Sequence, residues 1–320
     1  MCAISTYEAG KVGRTHLICL IKDIPVFYEE YGEGMPILFI HGWTPDHRMM
    51  KGCFEPVLSQ TSGYRRIYIG LPGMGQTPAR PWIRNSDDML DILCEFIYKV
   101  IGNENFLLAG CSYGGYLTLG LIHKLGHKIA GALFLVAMTD SLVKIDTGEN
   151  LSPKHRIWQS KLLSFEEESN SFKAYMDMAI IATPEMYSQW LKDIQPGLDI
   201  ADKEFTANES ILYYSPALEE SIRNLTFDKP STILAGRQDG PTCCYIRAYE
   251  LAKRFTRATF AALDGAGHIL QIDNEPLFQQ LVKDWLWRVE LNHKTIDNSL
   301  ESRLNDSLFS SEITIKIGDF

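Results

Sequence analysis

The chain has 320 residues, of which 45% are hydrophobic, enough for a sizeable core in one large domain or two small ones. A formal net charge of -9 argues against a nucleic-acid or anionic-membrane partner, since either selects a basic face. Seven cysteines are scattered without a Cys-x-x-Cys spacing, and Cys243 and Cys244 are adjacent, which points to a reducing compartment and not to a disulfide framework.

The first residues, Met1 to Arg14, are polar and contain no apolar signal-like stretch. The longest wholly apolar run, Ile129 to Met138, is too short to span a bilayer, so a cytoplasmic protein without membrane insertion is expected. Two alternating segments follow, His16 to Ile21 and Pro25 to Tyr31, joined by a turn at Lys22 and Asp23, and they read as an antiparallel hairpin at a sheet edge. From Pro36 the pattern changes. Short, mostly apolar runs at Pro36–Ile40, Arg66–Ile69, Phe106–Ala109 and Ala132–Ala137 are expected for strands buried on both faces. Between them Met89, Ile92, Leu93, Phe96, Ile97 and Val100 recur at helical spacing. Strand and helix in alternation imply a doubly wound, mostly parallel sheet with right-handed crossovers.

The alternation breaks between about 139 and 225. Apolar residues there fall in three helical sets: Ile157, Trp158, Leu162 and Phe165; Phe172, Tyr175, Met176, Ala179 and Ile180; and Met186, Tyr187, Trp190 and Leu191, the last stopped by Pro196 and Gly197. Strand-like runs resume at Ser231–Gly236 and Ala258–Leu263, and a final helix is expected from about Glu275 to Val289. Residues 290–320 are rich in Ser, Asn, Asp and Glu and read as a loosely docked tail, with a strand-like alternation in its last residues from Glu312.

Chemistry concentrates where strands end. After Phe106–Ala109 comes Gly110, Cys111, Ser112, Tyr113 and Gly114, followed at once by a helix-like segment. A Gly-x-Ser-x-Gly between a buried strand and a helix is a sharp turn that holds the serine hydroxyl up and exposed. A serine hydroxyl needs an imidazole to take its proton, and the imidazole needs a carboxylate to fix its tautomer. Asp239 follows the Ser231–Gly236 run and His268 follows the Ala258–Leu263 run. Asp140, just past the sixth strand, is a competing acid, and Asp239 is preferred on its position after the seventh. Asp264 reads as a loop cap, and the remaining histidines show no metal-ligand spacing.

The order Ser112, Asp239, His268 resembles that of the α/β-hydrolase fold family. The resemblance covers about residues 1–138 and 226–288. His41, Gly42 and Trp43 look like that family's oxyanion turn, and the loop from Gly70 through Pro72 and Gly73 to Gly75 is similar to its Asp-x-Pro-Gly-x-Gly loop, with Gly70 where Asp is usual. The resemblance implies an eight-stranded α/β-hydrolase core over 1–138 and 226–289, a helical cap over 139–225, and a capped, carboxylesterase-like serine hydrolase needing neither metal nor cofactor. It implies an oxyanion hole from the backbone N–H groups of Trp43 and Tyr113, with His41 and Gly42 supporting the turn. The Trp43 side chain either walls the pocket or packs beneath the cap. Trp158, Tyr175, Met176, Tyr187 and Trp190 are candidate substrate-pocket residues, suited to a lipophilic small-molecule ester or lactone. Carbon–carbon hydrolysis of a diketone-like substrate and a ligand-binding receptor that keeps the triad are the alternative functions.

Overall fold

Alternating apolar runs and turn residues place ten strands in chain order: β1 Arg14–Ile21, β2 Ile24–Tyr31, β3 Met35–Ile40, β4 Tyr64–Ile69, β5 Phe106–Cys111, β6 Ile129–Leu135, β7 Trp158–Gln159, β8 Ile181–Ala182, β9 Ser231–Gly236 and β10 Ala258–Leu263. The helices are α1 His47–Leu58, α2 Ser86–Val100, α3 Tyr113–Leu125, α4 Asn170–Met178, α5 Pro184–Asp193, α6 Gln195–Ile200, α7 Lys203–Thr206, α8 Pro216–Arg223, α9 Tyr245–Ala252, α10 Leu270–Asp273 and α11 Glu275–Glu312. This is a computed structural model and describes residues 14–139, 156–161, 169–240 and 242–312.

Eight strands form one sheet in the order β1-β2-β4-β3-β5-β6-β9-β10. Only β2 runs against its neighbours; every other pairing is parallel. The β1–β2 hairpin lies at the edge, closed by Ile21 opposite Ile24 with Lys22 at φ 51°.

Strand periodicity sorts the core into two layers. In β3, Leu38 and Ile40 join one apolar cluster while Ile37 and Phe39 join the other; Leu108 and Leu107 of β5, and Phe134 and Leu133 of β6, divide in the same way. The first cluster is closed by α2, α3, α8 and α9, and the second by α1, α4, α5, α10 and α11. Strands buried on both faces therefore have no polar side, which is why they read as unbroken apolar runs.

The segment between β6 and β9 differs from expectation in two respects. Trp158 is not helical: β7 pairs in parallel with β8, so a helix–strand–helix arrangement replaces part of the helical set, and Leu162 and Phe165 lie outside the described residues. Pro196 does not end helical structure either. It sits in the first turn of α6, where its missing N–H has no partner to lose. Short helices here start on side-chain caps: Ser169 for α4, Thr183 for α5 and Asp202 for α7.

The final helix is longer than its apolar pattern predicts. α11 continues from Glu275 through Glu312, so residues 290–312 extend a helix; the strand-like alternation beyond Glu312 lies outside the described residues. Residues such as Leu, Lys and Glu after Val289 propagate a helix well even without an apolar face. Among the described residues no helix is long and apolar enough to cross a membrane.

Candidate active site

Three strand ends on one edge of the sheet deliver the candidate residues. β5 ends at Cys111, and the chain reverses through Ser112 at φ 51° and ψ -117° directly into α3. A non-glycine residue at positive φ costs on the order of 1–3 kcal/mol, so the surroundings must enforce it. They do so by close backbone approach. A Cβ at Gly110 would lie 2.4 Å from the Gly114 carbonyl oxygen, and one at Gly114 would lie 2.2 Å from that of Ile40. The two glycines of the motif are therefore steric requirements of the turn. Ser112 is further held by its N–H to the Leu135 carbonyl (3.0 Å), and its own carbonyl accepts from the Met138 N–H (3.0 Å).

His268 lies on the loop after β10, and its Nε2 is 3.0 Å from Ser112 Oγ. Its Nδ1 is 3.0 Å from Asp239 Oδ2 and 3.2 Å from Oδ1. Asp239, buried just past β9, also accepts the Gly240 N–H at 2.6 Å. The two loops meet because Gly236 has no side chain: a Cβ there would sit 2.5 Å from the Gly267 carbonyl oxygen. Burial disfavours the imidazolium of His268, yet the adjacent Asp239 carboxylate holds its pKa well above that of a free imidazole. An imidazole poised in this way accepts the serine proton readily.

The turn after β3 packs directly on the serine. A Cβ at Gly42 would lie 3.3 Å from Ser112 Cβ, so the backbone of His41–Trp43 passes close over Ser112. His41 is fully buried; its Nδ1 is 2.7 Å from the Gly42 carbonyl and its Nε2 accepts the Leu71 N–H at 2.9 Å. These partners demand a neutral ring with the proton on Nδ1, and burial lowers the His41 pKa to about 4. His41 thus ties the His41–Trp43 turn to the Gly70–Gly75 loop. The Tyr113 N–H opens α3, where there is no carbonyl one turn back to receive it.

Thr77 takes over where the usual Asp is Gly70. Its hydroxyl donates to the Gly70 carbonyl (2.7 Å) and accepts the Phe27 N–H (3.0 Å), pinning that loop to β2. Asp264 is a loop anchor, its carboxylate accepting from Gln238 Nε2 at 2.7 Å. Asp140 lies outside the described residues.

The five residues expected to line a substrate pocket divide differently. Tyr175 and Trp190 are fully buried and Tyr187 nearly so; the three rings pack on one another, Tyr175 at 5.2 Å from Tyr187 and 5.9 Å from Trp190. They belong to the apolar cluster that also holds α1 and α11 residues, with Met176 packed at its margin. Trp158 is 53% exposed on β7. The rings of Tyr175, Tyr187 and Trp190 fill the seam between α4 and α5.

Other inserted residues touch the site. Phe205 of α7 stacks on Trp43, whose indole N–H donates to the Thr206 carbonyl at 3.0 Å and whose ring meets Tyr113 edge-on at 5.1 Å. Ile180 and Met178 crowd Gly267, one residue before His268. Asp273 joins the two regions: its carboxylate accepts the Gly267 N–H at 2.9 Å and the Ile180 N–H at 3.2 Å. Burial raises the Asp273 pKa to about 7 despite these bonds. Cys243 was not identifiable from the sequence, yet its sulfur stands beside Asp239 and His268. Phe205, Ile180 and Asp273 have no motif; only their place in the fold reveals them.

A family model described as the alpha/beta hydrolase family matches residues 37–280. An AB hydrolase superfamily protein, YisY, of Bacillus subtilis is 36% identical over 107 residues, 32% of this chain and 38% of that protein. A pimeloyl-(acyl-carrier protein) methyl ester esterase of Legionella pneumophila is 32% identical over 91 residues, 28% of this chain and 33% of that enzyme. The chain thus matches about a third of the length of these curated relatives. An alpha/beta superfamily hydrolase from Oenococcus oeni superposes with a TM-score of 0.74 at 28% identity, over 83% of this chain and 96% of that one. An esterase from Exiguobacterium antarcticum superposes with a TM-score of 0.65 at 18% identity, over 85% and 99% of the two chains, a likeness of fold. The match across residues 37–280, together with the sheet order and the turn at Ser112, establishes that this chain belongs to the alpha/beta hydrolase family.

Proposed function

We propose that the protein is a serine hydrolase that cleaves a carboxylic ester or lactone of a lipophilic small molecule through an acyl-enzyme on Ser112. The observation that carries this reading is the continuous hydrogen-bonded line from Ser112 Oγ to His268 Nε2 and from His268 Nδ1 to Asp239. In the first step Ser112 Oγ attacks the carbonyl carbon while its proton passes to His268 Nε2, and the carbonyl oxygen becomes an oxyanion. The N–H groups of Tyr113 and Trp43 stabilise that charge, a contribution on the order of 3 kcal/mol per donor in other hydrolases. His268 then gives the proton to the leaving alkoxide, and the alcohol departs or, in a lactone, stays attached to the acyl group. Water repeats the sequence against the acyl-enzyme and restores Ser112. Asp239 stays ionised throughout and holds the Nδ1–H tautomer.

The substrate side rests on apolar surroundings: Trp43, Phe205 and Ile180 border the catalytic turn and loops. The inserted segment acts in this reading as a cap that selects bulky, uncharged groups. The scattered cysteines, with no Cys-x-x-Cys spacing, support a reducing, cytoplasmic setting. The test combines labelling by a fluorophosphonate with turnover of a p-nitrophenyl ester series. Labelling and turnover that both vanish in Ser112→Ala, with the circular-dichroism spectrum unchanged, support the reading. Labelling without turnover favours a ligand-binding receptor, and activity retained in Ser112→Ala ends the proposal.

A further inference from the structure

Beside the triad lies a fourth group that the hydrolytic chemistry does not employ. Cys243 Sγ, a carboxylate oxygen of Asp239 and a ring nitrogen of His268 all lie within 4.8 Å of one another. Cys243 sits on the turn between β9 and α9, held by its N–H to the Gly240 carbonyl at 3.2 Å, and its side chain is buried. The thiol is within hydrogen-bonding reach of the imidazole. His268 is the more open member, its side chain 26% exposed against 5% for Asp239, so it marks the route of entry.

The donor set is specific. A thiolate, an imidazole nitrogen and a carboxylate oxygen are the ligands preferred by Zn²⁺ and, through sulfur, by the softer Cd²⁺. Ligand atoms around a tetrahedral Zn²⁺ sit roughly 3.3–3.7 Å apart, given bonds of about 2.0–2.3 Å. Nδ1 and Asp239 Oδ2 are already 3.0 Å apart and the sulfur lies within 4.8 Å of both residues' ligand atoms, so side-chain adjustments on the order of an ångström bring the three groups to that spacing.

We propose that Asp239, Cys243 and His268 form an inhibitory site for Zn²⁺ and like soft divalent cations, with solvent as the fourth ligand. The cation enters where the Nδ1 proton normally lies between His268 and Asp239. From the neutral ring, the thiol proton leaves to solvent and the imidazole proton moves from Nδ1 to Nε2, so one proton is released overall. Ser112 Oγ then faces an N–H in place of a lone pair. A ring in that tautomer, locked to a cation, cannot take the serine proton. Inhibition follows without any change at Ser112, and a chelator reverses it.

The proposal concerns the triad's geometry and goes beyond the hydrolase reading, and its binding arm needs no turnover. The full chain, stripped of metal, is titrated with Cd²⁺ while the ultraviolet thiolate-to-cadmium band is recorded, and with Zn²⁺ while ester hydrolysis is followed. One equivalent is expected to saturate the band, and Zn²⁺ to inhibit reversibly by EDTA, more strongly as pH rises. Cys243→Ser, with rates normalised to its own metal-free value, should lose the band. It should also weaken inhibition by more than the roughly 10–100-fold typical of removing a group that merely supports a metal ligand. Cys244→Ser should leave both unchanged. Should Cys243→Ser fail to fold, His268→Gln supplies the second variant, and its Cd²⁺ affinity should fall comparably. A wild type without the band, or a band lost with Cys244 and kept without Cys243, overturns the proposal. So does unaltered Zn²⁺ inhibition in a folded Cys243→Ser. If the protein binds Cd²⁺ as expected yet hydrolyses no ester, the hydrolase reading fails and the cation site stands.

Discussion

Two stretches border the same serine and are built on opposite terms. From Phe106 to Leu125 the backbone is dictated almost residue by residue: a fully buried strand, a serine at φ 51°, and glycines whose absent side chains let β3 and α3 approach. The inserted segment has no such dictation. Its helices α4 to α8 are each ten residues or shorter, marginal alone, and held by caps and by rings packed between them. A turn fixed by backbone collisions admits no substitution at Gly110 or Gly114. A segment fixed by side-chain volume admits many, provided the volume is kept. The same fold can therefore keep its chemistry constant while the insert varies.

The comparison breaks most visibly at the triad. Asp239→Asn should lower kcat by about 10⁴-fold, because the asparagine favours the wrong histidine tautomer; stopped-flow or steady-state ester hydrolysis measures it, and a loss of tenfold or less would move the acid elsewhere. A second expectation separates packing from chemistry in the insert. Trp190→Ala should cost about 3–5 kcal/mol of stability in urea unfolding, the range for a buried tryptophan. If stability instead held while discrimination between short and long acyl esters collapsed, Trp190 would belong to the pocket.

The next two expectations concern pH. Activity on a short ester should rise with pH through a midpoint above the ordinary histidine value near 6.5, since Asp239 favours the imidazolium and the base must be neutral to act. In Asp239→Asn the residual activity should show that midpoint moved downward, and a midpoint indifferent to the substitution would remove Asp239 from contact with the base. Asp273 joins core to insert, and its folded-state pKa of about 7 exceeds the ordinary aspartate value of 3.8. The folded state therefore binds that proton more tightly than the unfolded chain. Its stabilising contribution is present below pH 3.8 and is lost as pH rises through about 7. Asp273→Asn should accordingly flatten the decline of Tm across that window; an unchanged slope would locate the pH dependence in other groups. The smallest effect is expected at Trp158, where replacement of an exposed ring by alanine should alter stability by about 0.5 kcal/mol or less. A larger loss in thermal unfolding would show that β7 bears weight its exposure conceals.

The centre of the sheet was readable because its strands bury both faces, and each such run is an uninterrupted apolar word: Ile37–Ile40 and Leu107–Ala109 contain nothing else. The residues brought to the site from motifs were readable for a related reason, since Gly110, Gly114 and Gly42 are forced by sterics that leave a local signature. The insert was harder because helical spacing reports only that one side of a segment is buried, not against what. Tyr175 and Trp190 have the pattern of a lid's underside and the environment of a core. The pairing of β7 with β8 joins residues 23 apart through two-residue strands, too short to carry a period. The reach of α11 past Val289 follows from helix propensity in a polar stretch, which hydrophobic periodicity does not detect. Cys243 carries no motif; only the folded path from β9 to α9 brings its sulfur to the imidazole.

Trp43 is held at both ends of its side-chain and main-chain chemistry. Its backbone N–H belongs to the turn that passes over Ser112, while its indole N–H is bound to the Thr206 carbonyl of the insert. The turn over Ser112 and the inserted segment are thus mechanically one piece at this residue. An engineer who transplants a different insert onto this core inherits an obligation: some acceptor must meet the part-buried indole N–H, or its hydrogen bond is lost at a cost of about 0.5–1.5 kcal/mol. Swaps that ignore it should change turnover together with selectivity, so that specificity in this scaffold is inherited as a paired trait with rate.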